Sequence, residues 1–183
     1  MSLRWKSYLI RGEGMTTFDE YIASHFRRAN EQEEGVIFNP WRSGPYPRWG
    51  MPALMASKAA ELQGKEKWRT FHLAVMKAFY TDSRDISSLA VLEEIGRETG
   101  LDMDAFAVGM RDPRFEAEVY EETRQAQEKY GISSIPVLVI QNRFLVEGAV
   151  PLSQYQQILN EVRSAGSAAP HGPGSTQRWL AKA

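Results

Sequence analysis

The chain has 183 residues, with 22 Lys plus Arg against 23 Asp plus Glu, and no cysteine. The cancelling charge excludes a strongly basic nucleic-acid binder, and 43% hydrophobic with 25% charged residues is the balance of a folded globular chain, not a disordered one. Without cysteine there is no disulfide, no thiolate nucleophile, no thiol redox chemistry carried by this chain and no cysteine-ligated metal.

His25, His72 and His171 are too scattered for a short metal motif, so no metal site is expected. No run of 18 apolar residues is present, so no membrane span is expected. The opening Met1-Ser2-Leu3-Arg4-Trp5-Lys6 has no apolar core of a secretion signal, and a cytoplasmic location is expected.

In chain order, Leu3 to Ile10 alternates and is rich in aromatics, which predicts a strand ended by Gly12 and Gly14. Thr17-Phe18-Asp19-Glu20 fits a capping box for a helix with Phe18, Tyr21, Ile22, Phe26 and Ala29 on one face. Residues 35–50 hold Pro40, Pro45 and Pro47 and read as a loop, with Val36 to Phe38 as a short strand inside it. Trp41, Tyr46 and Trp49 either pack this loop onto the body or form the aromatic wall of a groove; packing is favoured.

Three helices follow, at about 52–63, 65–81 and 88–99. Trp68, Phe71, His72, Val75, Met76 and Phe79 give the second its helical stripe, and Gly100 closes the third. Asp102 caps a short helix, and Asp112-Pro113 opens a longer one ended by Gly131. Val137 to Ile140 is a continuous apolar run, as in a strand buried on both faces, and a tight turn at Gln141-Asn142-Arg143 leads into Phe144 to Glu147. Leu152 to about Arg163 is a final helix. The last stretch, 164–183, is rich in Gly, Ala, Ser and Pro and is expected to be disordered.

Gly131-Ile132-Ser133-Ser134-Ile135-Pro136-Val137-Leu138-Val139-Ile140, continued by Phe144-Leu145-Val146-Glu147-Gly148-Ala149-Val150-Pro151, resembles the C-terminal half of DsbA-family thioredoxin-fold proteins, in particular the FrnE-like branch. Phe71-His72 to Tyr80, Arg84-Asp85-Ile86-Ser87 and Leu92 look like that family's helical insertion, and Arg4 to Arg11 like the strand after its first helix. The resemblance implies an α/β, thioredoxin-like fold with an inserted all-helical subdomain. Residues 1–50 would be its N-terminal part (strand, helix, aromatic loop), 51–130 the insertion, 131–163 its C-terminal part (cis-proline, hairpin, helix) and 164–183 a tail. It also implies a cis Ile135-Pro136 bond and a substrate groove formed by Ser134, Ile135 and Pro136, with Trp41, Tyr46 and Trp49 as its wall.

The chain departs from the family in having no Cys-x-x-Cys, so no catalytic residue is assigned. Two registers fit. In the first, Leu3 to Ile10 is the family's second strand, and the first strand and redox helix are missing. In the second, Leu3 to Ile10 and Val36 to Phe38 are the first two strands of a complete sheet. Sequence likeness favours the first. It leaves a central strand position empty, and buried orphan backbone groups cost about 1–3 kcal/mol each, so it requires a collapsed sheet, a donated strand or an unstable product.

Three functions follow. One is a disulfide-oxidoreductase relative without dithiol activity, binding a peptide or small molecule beside Pro136 with no cofactor. The second is a glutathione-dependent enzyme similar to 2-hydroxychromene-2-carboxylate isomerase or the kappa-class transferases, for which Thr16 and Thr17 are the only hydroxyl candidates. The third is a non-catalytic module that binds a peptide or partner by strand addition. A homodimer is among the expected partners; nucleic acid and membrane are not. His72 reads as a core histidine rather than a base oriented by Asp82 or Asp85.

Overall fold

The computed structural model describes residues 3–10, 20–32, 37–42, 44, 46–165 and 177–180. The described elements are α1 (Glu20–Gln32), α2 (Met51–Glu61), α3 (Lys65–Tyr80), α4 (Leu89–Glu98), α5 (Met103–Met110), α6 (Pro113–Tyr130), β1 (Val137–Ile140), β2 (Phe144–Glu147), α7 (Leu152–Ala165) and β3 (Gln177–Leu180). Thr17 and Phe18 of the expected capping box lie outside the described residues.

The helical part is built from local signals. Asp102 caps α5 by accepting from the Asp104 and Ala105 amides, and Asp112 caps α6 by accepting from the Arg114 amide, with Pro113 in the first turn where no donor is needed. Gly131 ends α6 in the left-handed region at φ 62°, a conformation that suits glycine. The apolar stripe of α3 puts Phe71, Val75 and Ala78 into one core with Ala56, Ala59 and Ala60 of α2, Leu92 and Ile95 of α4, Phe106 of α5 and Phe115 of α6. The small residues on α2 let α5 come close: a Cβ on Gly109 would sit 2.7 Å from the Ala59 Cβ.

A second core joins the sheet to α7. Ile140, Phe144, Val146 and Val150 pack with Ile158 and Val162. The sheet order is β1-β2-β3. β1 and β2 are antiparallel, with Val137 opposite Glu147 and Ile140 opposite Phe144. The turn between them is closed by the Arg143 amide donating to the Ile140 carbonyl at 3.1 Å. Its central residues Gln141 and Asn142 have φ of 52° and 57°, as the twist of a tight hairpin demands.

Four expectations are corrected. Leu3 to Ile10 is not a strand. Its backbone donors are taken by side chains of α6: the Ser7 amide by the Glu122 carboxylate at 2.7 Å and the Leu9 amide by the Thr123 hydroxyl at 3.0 Å. Ile37 and Phe38 are not a strand either, and Val36 lies outside the described residues. The Asn30 side chain bonds both the amide and the carbonyl of Phe38, and the Thr81 hydroxyl donates to the Ile37 carbonyl. Both registers therefore lose a strand: the first register loses its strand at Leu3 to Ile10, and the complete-sheet register loses that strand and the one inside 36–38. Gln177–Leu180, placed in the expected disordered tail, forms β3, which pairs in parallel with β2 from Phe144↔Gln177 to Glu147↔Leu180. A four-residue strand carries little signal of its own; the free second edge of β2 supplies the ladder.

The fourth correction concerns β1. Val137, Leu138 and Val139 are only half-buried, whereas the apolar run predicted burial on both faces. β1 stands at the end of the sheet order, so its outer edge has no neighbouring strand among the described residues.

Candidate binding site at the outer edge of β1

The site begins where α6 stops. The Gly131 amide donates to the Gln127 carbonyl and the Ile132 amide to the Ala126 carbonyl, the bonding pattern of a helix terminated by a left-handed glycine. Ile132 is buried and holds the chain to the body, and its carbonyl accepts from the Tyr8 hydroxyl at 3.2 Å. The next four residues, Ser133 to Pro136, are all exposed, and Ile135 keeps 47% of its surface open to solvent. The Ile135-Pro136 peptide bond is cis.

The hydrogen-bond phase of the hairpin then fixes what the outer edge offers. The Gly148 amide donates to the Pro136 carbonyl at 2.9 Å. Antiparallel pairs alternate, so Leu138 and Ile140 turn their amides and carbonyls toward β2, while Val137 and Val139 turn theirs outward. No hydrogen bond to those outward groups is found among the described residues. The site is thus a short row of backbone donors and acceptors preceded by an exposed isoleucine. No cysteine exists in the chain, and no group of His, Asp and Glu side chains among the described residues could hold a metal ion. Such a row can hydrogen-bond an extended chain and cover an apolar side chain.

The expected groove residues rest on different elements. Ser134, Ile135 and Pro136 lie together at the start of β1. Trp41 and Tyr46 pack edge-on at 4.9 Å and both lean on Phe79 of α3, at 5.8 and 5.7 Å. Trp49 lines a separate cavity with Pro52 and Met55 of α2.

Two clusters went unforeseen. Trp68 Nε1 donates to Ser57 Oγ at 2.9 Å, and Ser57 Oγ lies 3.3 Å from His72 Nδ1. The Trp68 ring stacks on His72 at 5.1 Å, and Trp5 covers His72 at 5.3 Å. Burial pushes the His72 pKa down, toward the neutral ring, as suits a core histidine. Asp82 and Asp85 are engaged elsewhere, with Lys77 and Ser87. The second cluster is Glu122, whose carboxylate accepts from Lys6 Nζ at 2.7 Å, the Ser7 amide at 2.7 Å and Lys58 Nζ at 3.1 Å. Trp68 and His72, four apart on one helix, were legible as neighbours. Trp5, Ser57, Lys6 and Glu122 meet only through the tertiary fold.

Comparison with known proteins agrees with this architecture. The chain is similar to the ClpXP adapter protein SpxH of Shouchella clausii, 27% identical over 116 residues, which is 60% of this chain and 38% of that protein; it spans about two fifths of that relative's length. A candidate protein disulfide isomerase from Nitrosomonas europaea superposes with a TM-score of 0.72 at 20% identity, over 84% of this chain and 79% of that one. The cytosolic disulfide reductase DsbM of Pseudomonas aeruginosa does so at 0.59 and 21% identity, over 85% and 83%, and its structure with GSH likewise scores 0.59 at 20% identity, over 84% and 83%. These are likenesses of fold, shared with DsbA-type oxidoreductases. The thioredoxin family model matches residues 31–159, most of the chain. From its helices through the β1–β2 hairpin to α7, this cysteine-free chain belongs to the thioredoxin family.

Proposed function

We propose that this chain is a polypeptide-binding member of the thioredoxin family, in the FrnE-like branch, that performs no dithiol exchange. An extended segment of a partner lies along the outer edge of β1 and bonds the backbone of Val137 and Val139, while Ser134, Ile135 and Pro136 meet the residues that precede or follow it. The observation that carries this reading is the half-buried edge of β1, open beside an exposed Ile135. The lack of any cysteine supports the loss of redox chemistry. The adapter designation of the curated relative accords with binding rather than turnover. A cytoplasmic location belongs to the same reading and is supported by the cytosolic designation of DsbM. No helix among the described residues is long and apolar enough to cross a membrane.

The test uses reduced, carboxymethylated α-lactalbumin, labelled with fluorescein, as an extended polypeptide probe. Anisotropy is expected to show saturable binding. Val139→Pro is expected to weaken it by about tenfold or more, the equivalent of about 1.4 kcal/mol; proline removes the outward donor at an edge position where a sheet tolerates it. Ile135→Asp is expected to weaken it as well. The pure chain should not reduce insulin in the presence of dithiothreitol above the reagent's own rate. Turnover of insulin, or full binding by Val139→Pro, would overturn the reading. Since DsbM is also solved with GSH, calorimetry with glutathione is the control. Saturable uptake with no binding of α-lactalbumin would assign the chain to glutathione chemistry instead.

A further inference from the structure

A cavity of about 240 Å³ lies away from the sheet, among α2, α4, α5 and the loops before α2 and α4. Its walls are apolar and include Trp49, Met55, Leu89 and Met110. A lining with two methionines and a tryptophan adapts to a ring or a branched chain, methionine being flexible and favouring aromatic contact. The volume is below the about 300–1,000 Å³ of sites for drug-sized ligands, so the occupant is small.

The polar groups of the lining are few. The Ser87 hydroxyl is engaged: it donates to Asp85 Oδ1 at 2.5 Å and accepts the Arg48 amide at 3.4 Å. Glu93 holds one exposed partner, Arg97, at 3.2 Å, which leaves the carboxylate with unused acceptor capacity. Arg111, the residue that closes α5, is exposed, and its guanidinium has no hydrogen-bond or ion-pair partner among the described residues. The lining therefore combines one unpaired cation, one anion with spare acceptor sites, and an apolar floor.

We propose that this cavity binds a free α-amino acid with an aromatic or branched apolar side chain. The side chain enters between Trp49, Met55 and Met110. The carboxylate pairs with Arg111 through the two-pronged geometry that guanidinium offers, and the ammonium donates to Glu93. A ligand of zero net charge with two opposite poles matches a lining that also carries one charge of each sign. A monoanion would face Glu93 and a monocation would face Arg111, so either should bind more weakly than the zwitterion.

The experiment uses the full chain labelled with ¹³C at its methionine methyls and titrates it with L-phenylalanine. The Met55 and Met110 signals are expected to shift saturably, while those of Met76 and Met103 stay in place. Phenylacetate and phenethylamine, each lacking one pole, are expected to bind about threefold to fivefold more weakly, the measure of one solvent-exposed charged contact. Arg111→Gln and Glu93→Gln should each weaken phenylalanine binding by a similar factor with little change in melting temperature, both side chains being at the surface. Ala107→Phe should fill the space and abolish the shifts. The absence of saturable shifts at millimolar phenylalanine overturns the proposal, as does equal or tighter binding of phenylacetate. Shifts unaffected by Arg111→Gln would also overturn it.

Discussion

Glu122 shows how one side chain can hold a segment more than a hundred residues away. Its side chain is 6% exposed and that of Lys58 is 9% exposed, so their pair lies inside the protein. Lys58 also reaches Glu118 at 2.9 Å. Burial alone would raise the Glu122 pKa. The hydrogen bonds from Lys6 and the Ser7 amide, with the charge of Lys58, more than offset this and hold it below the usual carboxylate value. Removing one member of a buried pair costs about 3–5 kcal/mol. Because Lys58 keeps Glu118, Glu122→Ala is expected to lose about 3 kcal/mol, near the lower end of that range, as read by urea unfolding. A loss within error of zero would mean that the pair carries no net stability. The pH dependence has a definite sign. A carboxylate with a depressed folded pKa contributes its full stabilisation above the unfolded value of about 4.3 and loses it as pH falls through the lower folded value. Acid should therefore release residues 3–10 from α6, seen as a change in the Trp5 emission obtained by subtracting the Trp5→Phe protein. Retention of that emission down to complete Glu122 protonation would contradict the assignment. Nothing near Lys6 or Glu122 in the chain announces this contact, because an ion pair across 116 positions exists only after α6 and the N-terminal segment have met.

At the scale of elements, α2 and α5 approach each other closely at Gly109. Gly109 leaves room for Ala59, and a methyl group there would meet the Ala59 Cβ at 2.7 Å and its Cα at 3.2 Å. Both contacts are to Ala59, a core residue whose Cα is backbone and cannot yield easily. Gly109→Ala is thus expected to destabilise the chain by about 1–3 kcal/mol, the usual cost of overpacking, despite alanine's better helix propensity. Thermal unfolding checks this, and an unchanged or raised melting temperature would show that α5 can shift. The helices themselves were legible. Asp102, Asp112, Pro113 and Gly131 carry start and stop signals in their own side chains or in the lack of one. The residues at 3–10 were not, since alternation records only that one side is drier than the other. It cannot tell whether the backbone donors will meet a neighbouring strand or, as here, the carboxylate of Glu122 and the hydroxyl of Thr123. Likewise Val137 to Ile140 reads as doubly buried because its residues are all apolar, and apolar residues are equally at home on a surface that awaits a partner.

The whole molecule is two cores joined through α6: a helical one on α2 to α6 and a smaller one between the β1–β2 hairpin and α7. The hairpin and its lead-in were the most legible part of the candidate site, because Gly131, Pro136, Gly148 and Pro151 mark its corners. The occupancy of the sheet's edges was not, because strand neighbours are settled by the complete fold. β3 fills the outer edge of β2, and among the described residues the outer edge of β1 has no neighbouring strand. Edge strands of natural proteins are commonly blunted by charge, proline or bulges. The four residues of β1, Val-Leu-Val-Ile, carry none of these within the strand, which fits a surface kept for pairing. Amide hydrogen exchange at Val137 and Val139, followed by NMR with and without carboxymethylated α-lactalbumin, tests this most directly. Both amides are expected to exchange quickly in the free chain, while Leu138 and Ile140 are protected by β2, and both should become protected when the polypeptide is added. Protection of Val137 and Val139 in the free monomer, or continued fast exchange in the saturated complex, would contradict it.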